Sequence, residues 1–214
     1  MIVSRGRRYI FVHIPKTGGT SLAAALETRA MAGDLLIGDT PKARKRRRRL
    51  ADLPARGRLW KHSGLADIDG VLAPGEIGQM FVFTLVRNPW DRTLSYYAWA
   101  REQRFDHPAI RAAKRLDFSG FVEDPGVGES LRRSPARSYV TDASGTERCD
   151  AFVRLEYLEA DLAPVWDHLG FRLDVPRLNA SKRKRGYRSY YDAATRQRVA
   201  ELHAEDIARF GYAW

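Results

Sequence analysis

Apolar positions along the chain gather in a few short runs separated by charged and glycine-containing stretches. Tyr9-Ile10-Phe11-Val12-His13-Ile14 is a β-branched and aromatic run that ends at Pro15 and a Gly pair, the pattern of a buried strand entering a tight loop. Ser21 can cap a helix, and Leu22-Ala23-Ala24-Ala25-Leu26-Glu27 is rich in helix formers, so strand, loop and helix are expected over residues 9 to about 31. Met80 to Val86 repeats the strand pattern, and Arg87-Asn88-Pro89 turns into a helix expected from about Trp90 to Arg104. A third strand is predicted at Phe152-Val153-Arg154-Leu155, followed by a helix from about Leu158 to Leu169 that stops at Gly170. The last helix is expected from about Asp192 to Phe210.

Two stretches read differently. Thr40-Pro41 supplies an N-cap and a first helical position for the basic segment 42 to 52, an exposed helix stopped by Pro54. Residues 105 to 150 carry scattered Pro, Gly and Ser, and only a helix around 108 to 115 and a turn at Asp142-Ala143-Ser144-Gly145 are expected there. Strands alternating with helices imply an α/β fold: a P-loop-like three-layer α/β/α arrangement around a central, mostly parallel sheet, with ligands at the carboxyl ends of the strands. With no internal repeat and no clear linker, residues 1–214 read as one domain.

Composition narrows the class. Hydrophobic residues make up 44% and aromatics 11%, which excludes a chain disordered throughout. Apolar stretches such as Met80 to Phe83 and Ala23 to Leu26 fall far short of the roughly 18 residues a membrane helix needs. Met1 to Arg8 contains no apolar secretion-signal core, and the single Cys149 excludes an internal disulfide or a multi-cysteine metal site, so a cytoplasmic location is expected. Lys and Arg number 37 against 26 acidic residues, a formal +11 that favours polyanionic partners: nucleic acid, phosphorylated cofactors, anionic glycans or lipid headgroups. Seven of the basic residues lie between Lys42 and Arg49, and a second cluster runs from Lys182 to Arg188.

The chemistry gathers at two strand ends. Pro15-Lys16-Thr17-Gly18-Gly19-Thr20-Ser21 lies between a strand and a helix, where small residues let backbone N–H groups approach an anion and the helix N-terminus favours negative charge. A nucleoside-triphosphate P-loop places its Lys after the second Gly, whereas Lys16 precedes the Gly pair, so this is not a Walker A sequence. A ligand-free tight turn is the plain alternative, weighed against by the adjoining lysine and hydroxyls. At the second strand end, Arg87 offers a planar fork to a phosphate and Ser95 lies eight residues on, along the next helix.

Phe11 to Ser21 resembles the 5′-phosphosulfate loop of sulfotransferases, in the form found in carbohydrate sulfotransferases. Phe83 to Arg92, followed by Ser95-Tyr96-Tyr97, is similar to that family's 3′-phosphate segment, in which an arginine and a downstream serine hold the phosphate. Weaker matches at Trp60-Lys61-His62-Ser63, Phe152 to Glu156, Leu178 to Arg183 and Asp206 to Tyr212 resemble bacterial relatives of the heparan-type 2-O-sulfotransferases. The resemblance implies an α/β fold and the cofactor 3′-phosphoadenosine 5′-phosphosulfate, released as adenosine 3′,5′-bisphosphate, with the loop Ser181 to Arg185 facing the nucleotide. Two departures stand out: Pro135 is followed by Ala136 where related sequences often carry Gln, and Lys42 to Arg49 is more basic than the family pattern.

On this resemblance Lys16 and His62 are the catalytic candidates: Lys16 at the bridging oxygen, where negative charge develops, and His62 as the general base for an acceptor hydroxyl. Lys16, Thr17, Gly18, Gly19, Thr20 and Ser21 would bind the 5′ end, Arg87 and Ser95 the 3′-phosphate, and Ser181, Lys182 and Arg183 the nucleotide; no metal is required. Glu76 is a fallback base, Asp91 a partner for a nearby arginine, and Arg154 with Glu156 a structural pair. The acceptor class implied is a hydroxyl of a carbohydrate or glycolipid, an anionic one being favoured by the basic surface, approached by segment 105–150. No dedicated nucleic-acid partner is expected, and the charge is compatible with peripheral contact at the inner membrane face. A magnesium-dependent kinase and a non-catalytic polyanion-binding protein are the competing classes.

Overall fold

A computed structural model describes residues 1–73, 75–178 and 186–214, so Ser181, Lys182 and Arg183 lie outside the described residues. The chain divides into two compact units, Met1–Val86 with Ala136–Asn179 and Arg87–Pro135 with Ala180–Trp214.

The first unit is built on a five-stranded sheet: β1 Ile2–Ser4, β2 Tyr9–Val12, β3 Leu35–Leu36, β4 Phe81–Val86 and β5 Ala151–Arg154, in the order β3-β1-β2-β4-β5. β2 pairs parallel with β4 and β4 with β5, whereas β1 is antiparallel to both β2 and β3, so four strands share one direction. Sequence reading missed β1 and β3 because each is too short to carry a pattern; β1 exists through a tight turn with Arg8 at φ 53 that folds it onto β2.

Both faces of this sheet are dry, which is why its strands read as unbroken apolar runs rather than alternating ones. Ile2, Tyr9, Phe11, Phe83, Leu85 and Val153 face one core, packed with Leu22 and Leu26 of helix α1 (Gly19–Thr28) and Val165 and Trp166 further on. Val3, Ile10, Val12 and Val82 face the other, against Leu65, Ile68 and Val71 in the turns before β4. The single helix expected over about 158 to 169 is two pieces, α8 Leu158–Asp161 and α9 Ala163–Leu169, numbered after those described next, and the second ends at Gly170 with φ 74.

Helix α2 spans Pro41–Arg46 and passes into a 3₁₀ turn, Arg47–Leu50, shorter than the helix expected to residue 52. Thr40 is its N-cap, accepting from the Ala43 amide at 3.1 Å. Adjacent like charges one turn apart, such as Arg44 with Arg48 and Lys45 with Arg49, oppose a longer helix.

The second unit is helical: α3 Pro89–Glu102, α4 Pro108–Arg115, α5 Phe118–Glu123, α6 Pro125–Arg132, α10 Ala193–Leu202 and α11 Ala204–Phe210, with α7 Ala136–Val140 belonging to the first unit. Segment 105–150 is therefore largely helical, not an irregular insertion. Its short helices are started by Asp117, which accepts from the Gly120 amide at 2.8 Å, and Asp124, which accepts from Val127 at 3.0 Å, and are held by burial of Phe118, Phe121, Val122 and Val127. No helix among the described residues is long and apolar enough to cross a membrane.

The expected last helix breaks at His203, which is 3% exposed, faces Thr93 Oγ1 at 3.2 Å and lies near the buried Arg92–Asp206 pair. Burial, with Arg92 adding to it, lowers the His203 pKa from 6.5 to about 3. The unfolded chain takes this proton at the higher pH, so the contribution of neutral His203 to stability is lost as pH falls from 6.5 toward 3. Thermal unfolding followed from pH 7 to 4 should show a shallower decline for His203→Gln than for the wild type.

Candidate functional site

In the first unit, β2 delivers residues 13–21 to the carboxyl end of the sheet and α1 carries the chain away. The turn is made by two left-handed residues. Gly18, with φ 87, is the N-cap of α1 and supplies no side chain to cap it; Lys16 takes φ 66, a conformation that costs a non-glycine residue about 1 kcal/mol. The amide end of α1 therefore meets no side-chain cap, which leaves it electropositive toward an anion.

Both glycines are required by close neighbours. A Cβ at Gly18 would come within 2.8 Å of Leu155 Cδ1, and one at Gly19 would run into the imidazole of His13. Thr17 is 1% exposed and donates its hydroxyl to the Ile14 carbonyl at 2.8 Å, fixing the loop from inside. Ser21 Oγ accepts from the Leu178 amide at 3.0 Å, tying the start of α1 to a distant segment. Thr20 lines a narrow cleft with His13, Glu27, Asp39, Thr40 and Lys61.

His62 is held in this unit by contacts that a sequence cannot display. Its Nδ1 lies 2.7 Å from the His13 carbonyl, and its ring stands edge-on to His13 at 4.7 Å and to Trp60 at 5.0 Å. A carbonyl oxygen can only accept, so neutral His62 carries its proton on Nδ1 and presents Nε2 as the proton acceptor. Burial lowers its pKa to about 4 against the smaller opposing effect of that hydrogen bond, leaving it neutral at pH 7. Lys61, beside it, is paired with Asp39 at 2.7 Å.

Glu76 does not belong here. It accepts from Arg5 Nε at 2.7 Å, and Arg5 lies in the turn that leads into β2, at the end of that strand away from the loop. The hydrogen bonds from Arg5 hold its carboxyl below the usual range. Arg154, expected to form a structural pair with Glu156, donates its fork to Asp161 at 2.8 and 3.0 Å.

In the second unit, Asn88 caps α3 by accepting from the Trp90 and Asp91 amides at 3.1 and 3.4 Å, with Pro89 in the first turn. Arg87 precedes this cap and donates Nε and Nη2 to Asp91 Oδ2 at 2.9 and 2.6 Å. Asp91 is thus the arginine partner expected of it, and any anion taken by Arg87 meets a guanidinium already oriented by a carboxylate. Ser95 is one turn beyond Asp91 on α3, half-buried.

No protein-family model matches the chain, and no curated protein matches it. Among solved structures it is similar to the crystal structure of mouse sulfotransferase SULT7A1 complexed with PAP, at 16% sequence identity and a TM-score of 0.55, over 98% of this chain and 90% of that one. The likeness is one of fold. It agrees with the α/β sheet arrangement expected from the sequence.

The contact between Gly19 and His13 gives a direct test of the loop's construction. Gly19→Ala should destabilise the protein by about 1–3 kcal/mol through overpacking. In a His13→Ala background the same substitution should cost little, a non-additivity measurable by denaturant unfolding.

Proposed function

We propose that this chain is a sulfotransferase that uses 3′-phosphoadenosine 5′-phosphosulfate, and that its acceptor is a hydroxyl of a carbohydrate or glycolipid. The observation that carries this reading is the loop 15–21: a left-handed lysine, a glycine pair locked by its neighbours, and an α1 amide end without a side-chain cap. Those features fit a phosphate or phosphosulfate group, and the fold is one also seen in a sulfotransferase solved with PAP.

The cofactor would supply the sulfuryl group. This chain's residues would do the holding: amides of Gly18 to Ser21 and the Thr20 hydroxyl at the 5′ end, and Arg87 with Ser95 at the 3′-phosphate. Lys16 would place positive charge where the departing oxygen gains negative charge. His62 would receive the acceptor proton on Nε2, its Nδ1–H being occupied by His13. Since sulfuryl transfer follows the loose, in-line logic of phosphoryl transfer, positioning and charge carry most of the acceleration.

Two variants test these roles. Lys16→Ala should lower sulfate transfer to a hydroxyl acceptor about 10²- to 10³-fold while leaving cooperative unfolding intact. Near wild-type transfer in that variant would remove Lys16 from the chemistry. His62→Asn keeps a donor near the Nδ1 position and removes Nε2, and transfer should fall about 10²- to 10⁴-fold. Because the free-enzyme pKa of His62 is lowered to about 4, kcat/KM should stay level through pH 6.5 and decline only as pH approaches 4, where His62 takes up a proton.

A further inference from the structure

We propose that Ala213 and Trp214 are positioning residues for the 3′-phosphate end of the nucleotide, acting through Asn88 on Arg87, an inference that rests on the sulfotransferase reading above. Helix α11 ends at Gly211, whose φ of 65 reverses the chain, and the Tyr212 amide donates back to the Ile207 carbonyl at 3.1 Å. The next two residues are thereby brought to the start of α3.

Asn88 is bound at both ends of its side-chain amide. Nδ2 donates to the Ala213 carbonyl at 3.3 Å, and Oδ1 accepts from the Trp90 and Asp91 amides at 3.1 and 3.4 Å. A carboxamide has one donating and one accepting end, so a carbonyl facing Nδ2 leaves Oδ1 turned toward the helix amides. The flipped amide would set N–H donors against N–H donors at one end and two carbonyl oxygens together at the other. Ala213 thus fixes which end of Asn88 caps α3.

Trp214 fixes the first turn behind that cap. Its ring stands edge-on to Trp90, Tyr187 and Tyr191 at 5.5, 5.5 and 5.1 Å, and the Arg196 guanidinium lies 5.0 Å from its centre. Trp90 is held on two further sides, its indole N–H donating to the Arg196 carbonyl at 3.0 Å and its own carbonyl accepting from the Tyr191 hydroxyl at 2.7 Å.

These contacts bear on Arg87 rather than on the existence of the helix. α3 is buried further along at Leu94, Tyr97 and Ala100, whereas Trp214 is half-buried at the margin of that core. Arg87 directly precedes Asn88, and its guanidinium is oriented by Asp91, whose amide is one of the two that Asn88 caps. The route therefore runs from Trp214 and Ala213 to Asn88, from Asn88 to Asp91, and from Asp91 to the fork offered to a phosphate. Loosening the turn would spread the fork over several orientations, and paired hydrogen bonds to phosphate oxygens depend on one.

The test measures dissociation constants of adenosine 3′,5′-bisphosphate and 5′-AMP for the wild type, Trp214→Ala, Trp214→Phe, Asn88→Ser and Arg87→Ala, and for Trp214→Ala combined with Arg87→Ala. Trp214→Ala should weaken the bisphosphate about 10-fold and 5′-AMP less than about 2-fold, and Trp214→Phe should restore most of the loss. Asn88→Ser keeps an N-cap oxygen but loses the donor to Ala213, so it should show the same selective loss even if Trp214→Ala fails to unfold cooperatively. In the Arg87→Ala background, Trp214→Ala should have no further effect on bisphosphate binding. Unchanged bisphosphate affinity in Trp214→Ala and Asn88→Ser would overturn the proposal. So would an equal loss for both nucleotides, or full additivity with Arg87→Ala, since either marks a purely structural role. A wild type that does not prefer the bisphosphate to 5′-AMP would instead take down the sulfotransferase reading, and the positioning role with it.

Discussion

The imidazole of His13 pressed against the backbone of Gly19 is the contact on which the shape of loop 15–21 depends. Just past the end of β2 the chain carries the buried ring of His13, and that ring leaves no room for a Cβ at residue 19. The chain must therefore pass the ring as glycine. Leu155, just after β5, imposes the same demand on Gly18 from another direction. With both positions reduced to bare backbone, α1 starts without a side chain over its amides, and Lys16 takes up the positive φ that the turn requires.

The same histidine sets the tautomer of His62. Its carbonyl receives His62 Nδ1–H, and that one bond decides which nitrogen of His62 can accept a proton. Burial then keeps His62 neutral over the working pH range, at the cost of basicity. Charge is supplied around it rather than on it, with Lys61 balanced by Asp39 and the cleft closed by the Glu27–Thr40 pair. Arg87 in the second unit follows a similar logic, since Asp91 holds it in one orientation while tempering its charge.

Much of this was legible in the sequence where the determinant was local. The runs at residues 9–14 and 80–86 announced β2 and β4 because strands buried on both faces need no polar alternation. The loop was legible for the same reason: Lys16, the Gly pair and the hydroxyls are consecutive. β1 and β3 were not, because three and two residues carry no period, and they exist only through pairing. Helices α5 and α6 were hidden by Gly120, Gly126 and Gly128, which weaken helix propensity, although Asp117 and Asp124 stood at their starts as capping signals. The hydrogen bond from the Leu178 amide to Ser21 Oγ spans 157 residues and could not be read from the motif. His62 and His13 are 49 residues apart, so the tautomer of His62 could not be read from the motif around it.

In the proposed function, the protein takes a nucleotide bearing a 3′-phosphate. Thermal unfolding with adenosine 3′,5′-bisphosphate, set against ATP and 5′-AMP at equal concentration, tests this most directly, because a ligand of the native state raises apparent stability by mass action. An upward shift with the bisphosphate that neither ATP nor 5′-AMP reproduces is expected. Equal shifts with all three, or none with the bisphosphate, would contradict it.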